Sequence, residues 1–175
     1  MTEQRIAIDQ YLTFELAGET YAISVGQVQE VLEYDRVTAI PRSADYMRGV
    51  VNIRGRVVPV IDLRRKFGME AVEPTRDTSI IVLDLRVGEQ EMIVGALADS
   101  VQAVVRIDDD EIEPPPTLGN SVDRQFVRGM ANRDGRFIIL LDVELILSSD
   151  DLSAVTGSLG DGAVVGDEAA QALFR

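Results

Sequence analysis

The chain has 175 residues, 46% of them apolar, and a mean hydropathy of +0.06, which is enough to bury a core and too apolar for global disorder. It contains no cysteine and no histidine, which removes disulfides, thiolate chemistry, the usual zinc ligands, the usual general base and any phosphohistidine. A net charge of −13 argues against nucleic acid and anionic lipid as partners.

No apolar leader follows Met1, and no run approaches the ~20 apolar residues of a membrane span. The reading is a soluble cytoplasmic protein with no direct membrane insertion. Charge is spread unevenly. Segment 36–67 holds eight arginines and lysines against Asp45 and Asp62 alone, a net +6. Such a band suits an acidic protein partner; the competing reading is arginines paired with carboxylates inside the fold.

Residues 11–17 alternate as a strand, Gly18-Glu19 signals a turn, and residues 21–25 return as its partner. Val28, Val31 and Leu32 stand at i, i+3 and i+4, so the spacing predicts a short helix over 26–33. Pro41 breaks the next extended stretch, and residues 44–48 read as a short helical piece. Residues 50–53 and 56–63 flank Arg54-Gly55 as a second hairpin, with Pro59 arguing for an edge or a bulge.

A polar linker follows over 68–78. Residues 79–86 and 91–97 form a third hairpin, and 101–107 a further strand. The acidic run Asp108-Asp109-Asp110-Glu111 lacks the spacing of a calcium loop and reads as solvated. Pro114-Pro115-Pro116 reads as a stiff connector. Residues 127–130 and 136–143 make a fourth hairpin, and 143–155 has helical spacing. The glycine- and acid-rich stretch 156–175 reads as a disordered or partly helical tail.

The chain repeats itself. Arg48-Gly49-Val50-Val51-Asn52-Ile53-Arg54-Gly55 runs into an apolar strand ending at Asp62. Arg128-Gly129-Met130-Ala131-Asn132-Arg133-Asp134-Gly135 runs into one ending at Asp142. The hairpins at 11–25 and 79–97 also resemble each other. Two small β-barrels built on one repeated plan satisfy this pattern.

Catalytic arrangements are missing. No phosphate-cradling glycine loop or activated nucleophile is recognisable. Asp62 and Asp142 fall at equivalent strand ends, where capping explains both more simply than acid–base work. The two hairpin turns do differ. Asp134-Gly135 obeys the rule that Asn or Asp precedes Gly where both residues take positive φ, and Arg54-Gly55 breaks it. Arg54 therefore reads as an interaction residue, the structural alternative being a buried salt bridge to Glu30 or Glu33.

With these motifs in view, the chain resembles the bacterial chemotaxis coupling family, CheW, over about residues 8–155. The likeness rests on Leu12-Thr13-Phe14, Gly18-Glu19-Thr20-Tyr21-Ala22-Ile23, Val28-Gln29-Glu30-Val31, Val37-Thr38-Ala39-Ile40-Pro41, and Arg48-Gly49-Val50-Val51-Asn52-Ile53-Arg54-Gly55 with Val58-Pro59-Val60-Ile61-Asp62-Leu63-Arg64. The resemblance implies a mainly β fold of two interleaved five-stranded SH3-like barrels with short helices. The subdomains would span about 11–67 and 79–147, with elements allowed to exchange.

It further implies a non-catalytic adaptor without cofactor. The partners would be the cytoplasmic tip of a chemoreceptor and the regulatory domain of a CheA-type histidine kinase. Receptor-binding positions fall on Val28, Glu30, Val31, Gly49, Asn52, Arg54 and Gly55, in a groove between the barrels. Kinase-binding positions fall on Glu113, Pro115 and Leu118. Two other readings stand beside it: an adaptor of a related kinase pathway such as surface motility, and a phosphatase using Asp62 or Asp142.

Overall fold

The computed structural model describes residues 10–35, 37–41, 44–87, 89–115 and 126–146. Among these residues ten strands form two five-stranded sheets. In chain order they are β1 (Gln10–Leu16), β2 (Glu19–Ser24), β3 (Val28–Glu33), β4 (Met47–Ile53), β5 (Arg56–Asp62), β6 (Ser79–Val87), β7 (Gln90–Ala98), β8 (Ser100–Arg106), β9 (Val127–Arg133) and β10 (Arg136–Leu141). Two four-residue helices follow the last strand of each repeat: α1 (Leu63–Lys66) after β5 and α2 (Val143–Ile146) after β10.

Neither sheet is a contiguous half of the chain. The first has the order β8-β1-β2-β10-β9, and the second β3-β6-β7-β5-β4. Each combines one hairpin of the first type with one of the second, joined by a parallel contact: β10 on β2, and β5 on β7. The registers superimpose. Thr13 faces Ala22 as Val82 faces Gly95, and Leu140 lies beside Ala22 as Val60 lies beside Gly95.

Each sheet curls toward closure through one isolated bridge. Thr38, beyond edge strand β3, exchanges backbone hydrogen bonds of 2.8 Å with Val50 on β4. Glu113, beyond edge strand β8, does the same with Met130 on β9. The two closures explain two glycines. A Cβ on Gly49, at φ +151, would lie 2.1 Å from the Thr38 carbonyl oxygen; one on Gly129 would lie 2.4 Å from Ile112 Cγ2.

Strand alternation then yields three apolar cores. One face of each sheet fills its own barrel: Tyr11, Ala22, Ile107, Ala131, Ile138 and Leu140 in the first, and Val51, Val58, Val60, Ile80, Val82 and Leu97 in the second. The other faces meet in a larger shared core that includes Phe14, Leu16, Tyr21, Ile61, Ile81, Leu83, Phe67 and Phe126. Phe14, Tyr21, Phe67 and Phe126 pack in sequence through it at centroid separations of 5.8–6.1 Å, the first two pairs stacked and the last tilted. Burial, with Glu19 adding to it, pushes the Tyr21 hydroxyl up to about 12.

Three expectations from the sequence change. Residues 26–33 are not a helix; a 3-10 turn over Val25–Gln27 leads into β3. The ladder with β6 slips between Val28 and Glu30, leaving Gln29 as the extra residue of a bulge. One inserted residue lets a strand place Val28 and Val31 on the same face three positions apart, which mimics helical spacing. Residues 44–46 form a turn, closed by Met47 N–H donating to the Ala44 carbonyl, and β4 starts at Met47.

Pro59 lies in the interior strand β5, not on an edge. It pairs with Val50, whose own N–H and C=O bond away to Thr38, and the β7 ladder begins one residue later at Val60. No hydrogen bond is lost there. The bulge falls on the facing strand instead, at Arg48. Continuation of α2 over 147–155, Leu118, Pro116 and the tail at 156–175 lie outside the described residues.

Candidate functional site

The β4–β5 turn carries Arg54 at φ +52 and Gly55 at φ +82, and the β9–β10 turn carries Asp134 at φ +54 and Gly135 at φ +81. Both are therefore turns of the same left-handed type. Asn52 Oδ1 accepts from Gly55 N–H at 2.9 Å, and Asn132 Oδ1 from Gly135 N–H at 3.2 Å. So Asn52 and Gly55 build the turn. Arginine in left-handed backbone costs about 1 kcal/mol and contributes nothing to it.

The Arg54 guanidinium reaches over edge strand β3. Its Nη1 donates to Glu30 Oε2 at 2.9 Å and its Nη2 to Oε1 at 3.4 Å. The ion pair proposed as an alternative from sequence exists, but it is not buried: the Arg54 side chain is 77% exposed. An exposed pair of this kind contributes ~0–1 kcal/mol, about what the backbone strain costs. The fold gains little from Arg54.

Val28 and Val31 lie on the other face of β3, opposite Leu83 and Ile81 of the shared core. Val28 is partly buried against that core, while Val31 remains 40% exposed at its margin. Asn52 lines an open groove with Leu32, Glu33, Asp35, Thr38, Val51 and Ile80, at the seam between β3 and β4. Gly49 is buried and closes the barrel, so its close approach is to Thr38 within the chain, not to a partner. The seven positions expected to meet a receptor thus divide into inter-barrel valines, an exposed ion pair at the barrel mouth, and turn or closure residues.

Sequence reasoning missed the mate of this surface. Val101 and Val104 on β8 face Phe14 and Leu12 of the shared core, as Val28 and Val31 on β3 face Leu83 and Ile81. Val104 is 55% exposed. The signal was available: Val-Gln-Glu-Val and Val-Gln-Ala-Val are the same bulged strand in the two repeats. Where the second barrel has Glu30 and Arg54, the first has Ala103 and Asp134, so the ion pair has no counterpart there.

The carboxylates do structural work. Asp62 is 3% exposed; its Oδ1 caps α1 by accepting from Arg64 N–H at 3.0 Å, and its Oδ2 lies 3.7 Å from Arg48. Glu111 closes a capping box on Asp108 and pairs with Arg133 at 3.1 Å. The Asp108 N–H and Arg133 hold the Glu111 carboxyl below the usual range. Glu113, the residue that bridges to β9, has an exposed side chain, and Pro115 two residues on is half-buried. No group of three metal-ligating side chains occurs among the described residues.

Two fused barrels sharing one core, with an edge surface of valines and one exposed ion pair, define a protein-interaction module. The comparisons specify which. A family profile described as "CheW-like domain" matches residues 10–151, and the chain belongs to that family. It is 35% identical over 146 residues to the chemotaxis protein CheW of Klebsiella aerogenes, covering 83% of this chain and 86% of that one. The CheW of Helicobacter pylori is 32% identical over 142 residues, covering 81% and 82%. The crystal structure of the scaffolding protein TtCheW from Thermoanaerobacter tengcongensis matches with a TM-score of 0.72 and 31% identity, covering 82% of this chain and 90% of that one. Members of the family are chemotaxis adaptors and not enzymes, which removes the phosphatase reading of Asp62 and Asp142. Among the described residues no helix is long and apolar enough to cross a membrane.

Proposed function

We propose that this chain couples the cytoplasmic tip of a methyl-accepting chemoreceptor to the regulatory domain of a CheA-type histidine kinase. It would act in the cytoplasm, recruited to membrane-associated receptor arrays. The receptor's helical hairpin lays an apolar stripe against Val28 and Val31, and a receptor carboxylate pairs with Arg54. Glu30 holds the guanidinium in place until the partner arrives. The kinase docks near Glu113, Pro115 and Leu118.

One observation carries the reading. Arg54 occupies a strained turn position that Asp134 fills in the copy, and its exposed ion pair returns about as much as the strain costs. A side chain that the fold does not need, presented at a barrel mouth, is available to a partner. The test is a pull-down of a receptor signalling tip and of the kinase regulatory domain by wild type and by Arg54→Glu. Both partners bind wild type, and the receptor tip alone is lost in the variant. Failure of wild type to retain either partner would sink the proposal.

A further inference from the structure

Among the described residues the chain crosses between the barrels at two places. The 3-10 turn over Val25–Gln27 carries it from β2 to β3, and the single residue Asp99 carries it from β7 to β8. The crossings occupy matching positions in the two repeats. Gly26 stands two residues before Val28, and Asp99 two residues before Val101. Each crossing therefore launches the edge strand that carries an exposed valine.

They are fastened differently. Asp99 N–H donates to the Glu15 carbonyl at 3.0 Å, and Asp99 Oδ2 accepts from Ala17 N–H at 2.9 Å in the β1–β2 turn of the first barrel. From the second barrel, Arg64 on α1 grips the same carboxylate with both arms of its fork, Nε to Oδ1 at 2.9 Å and Nη2 to Oδ2. Arg64 is itself positioned by the α1 cap on Asp62 and by a 3.4 Å bond to the Glu70 carbonyl. Gly26 has no side chain to offer. On that side, among the described residues, α2 reaches across with one hydrogen bond, the Arg86 N–H to Glu144 at 3.2 Å.

We propose that Arg64 and Asp99 are positioning residues for partner docking: their clasp pins the second barrel to the β1–β2 turn of the first and so fixes how Val31 and Val104 are presented relative to each other. This rests on the coupling proposal above for the identity of the partner. Neither residue touches the partner. A fork-to-carboxylate contact resists rotation in a way a single hydrogen bond does not, and the shared core, being apolar, specifies area more than angle.

The test uses the absence of native cysteine. Spin labels are attached at Asp84→Cys on β6 and Arg136→Cys on β10, both exposed and in different barrels. The label-to-label distance distribution is recorded by pulsed electron resonance in the parent chain, in Arg64→Lys, which keeps the charge and loses the fork, and in Asp99→Asn. Receptor-tip affinity is titrated on the same three proteins without labels. The clasp predicts a broadened or shifted distance in both variants at an unchanged circular dichroism spectrum, with affinity for the tip weakened by roughly fivefold. An unchanged distance overturns the proposal, and so does a broadened distance with unchanged affinity. A parent chain that fails to bind the tip contradicts the coupling proposal instead, while the distance measurement still decides the clasp.

Discussion

Arg54 and Asp134 occupy the same turn position at φ +52 and φ +54, and only the aspartate suits it. Arg54→Asn removes the strain and the Glu30 pair together, two effects of about 1 kcal/mol each and opposite sign. Urea unfolding of this variant is expected to stay within about 1 kcal/mol of wild type. The two glycines of the motif separate in the same assay. Gly55→Ala meets open space and suffers only left-handed strain, about 1 kcal/mol. Gly49→Ala drives a methyl into the Thr38 carbonyl and breaks barrel closure; a loss of more than about 3 kcal/mol is expected. Equal costs at the two sites would show that Gly49 does not close the barrel. Both glycines were visible in the sequence, but the sequence could not say which one meets backbone, because Thr38 comes from outside the hairpin.

The strands themselves were largely legible, since alternation, turn glycines and the internal repeat all mark them. The exceptions have local causes. A bulge at Gln29 gave β3 the spacing of a helix, and Val50 bonding away to Thr38 let Pro59 sit opposite it in an interior strand. Bulges shift the side-chain phase by one residue, and a period count cannot tell that from a change of element. At α1, the aspartate cap predicts a loss of about 1–2 kcal/mol for Asp62→Ala, read by thermal or urea unfolding. Asp62→Asn retains an oxygen acceptor for the Arg64 N–H and is expected to lose less. The clasp on Asp99 is acid-sensitive. Burial opposes ionisation there, but the hydrogen bonds from Arg64 and Ala17 outweigh it and hold the carboxyl below its ordinary 3.8. Its stabilisation is therefore complete above about pH 4 and lost as pH falls through the lower folded value. Asp99→Asn should flatten that part of a stability-versus-pH curve; an unchanged acid limb would contradict the contact.

At the scale of the whole molecule, duplication predicted two barrels but not which strands each would take. Hairpins of one half pair with hairpins of the other through the parallel contacts β10 on β2 and β5 on β7. Parallel, long-range pairing leaves no local signature in a sequence. That exchange makes the shared core unavoidable, and it brings the margins of two edge strands, with Val31 and Val104, into one architecture. The repeat also isolates what is asymmetric: Glu30 and Arg54 in one barrel, Ala103 and Asp134 in the other. The central claim is that Arg54 serves docking and not folding. Calorimetric titration of a receptor signalling tip into wild type and Arg54→Asn tests it most directly. The account predicts at least about a tenfold weaker association, ~1.4 kcal/mol, at unchanged or higher stability. Equal affinity in the two proteins would contradict it.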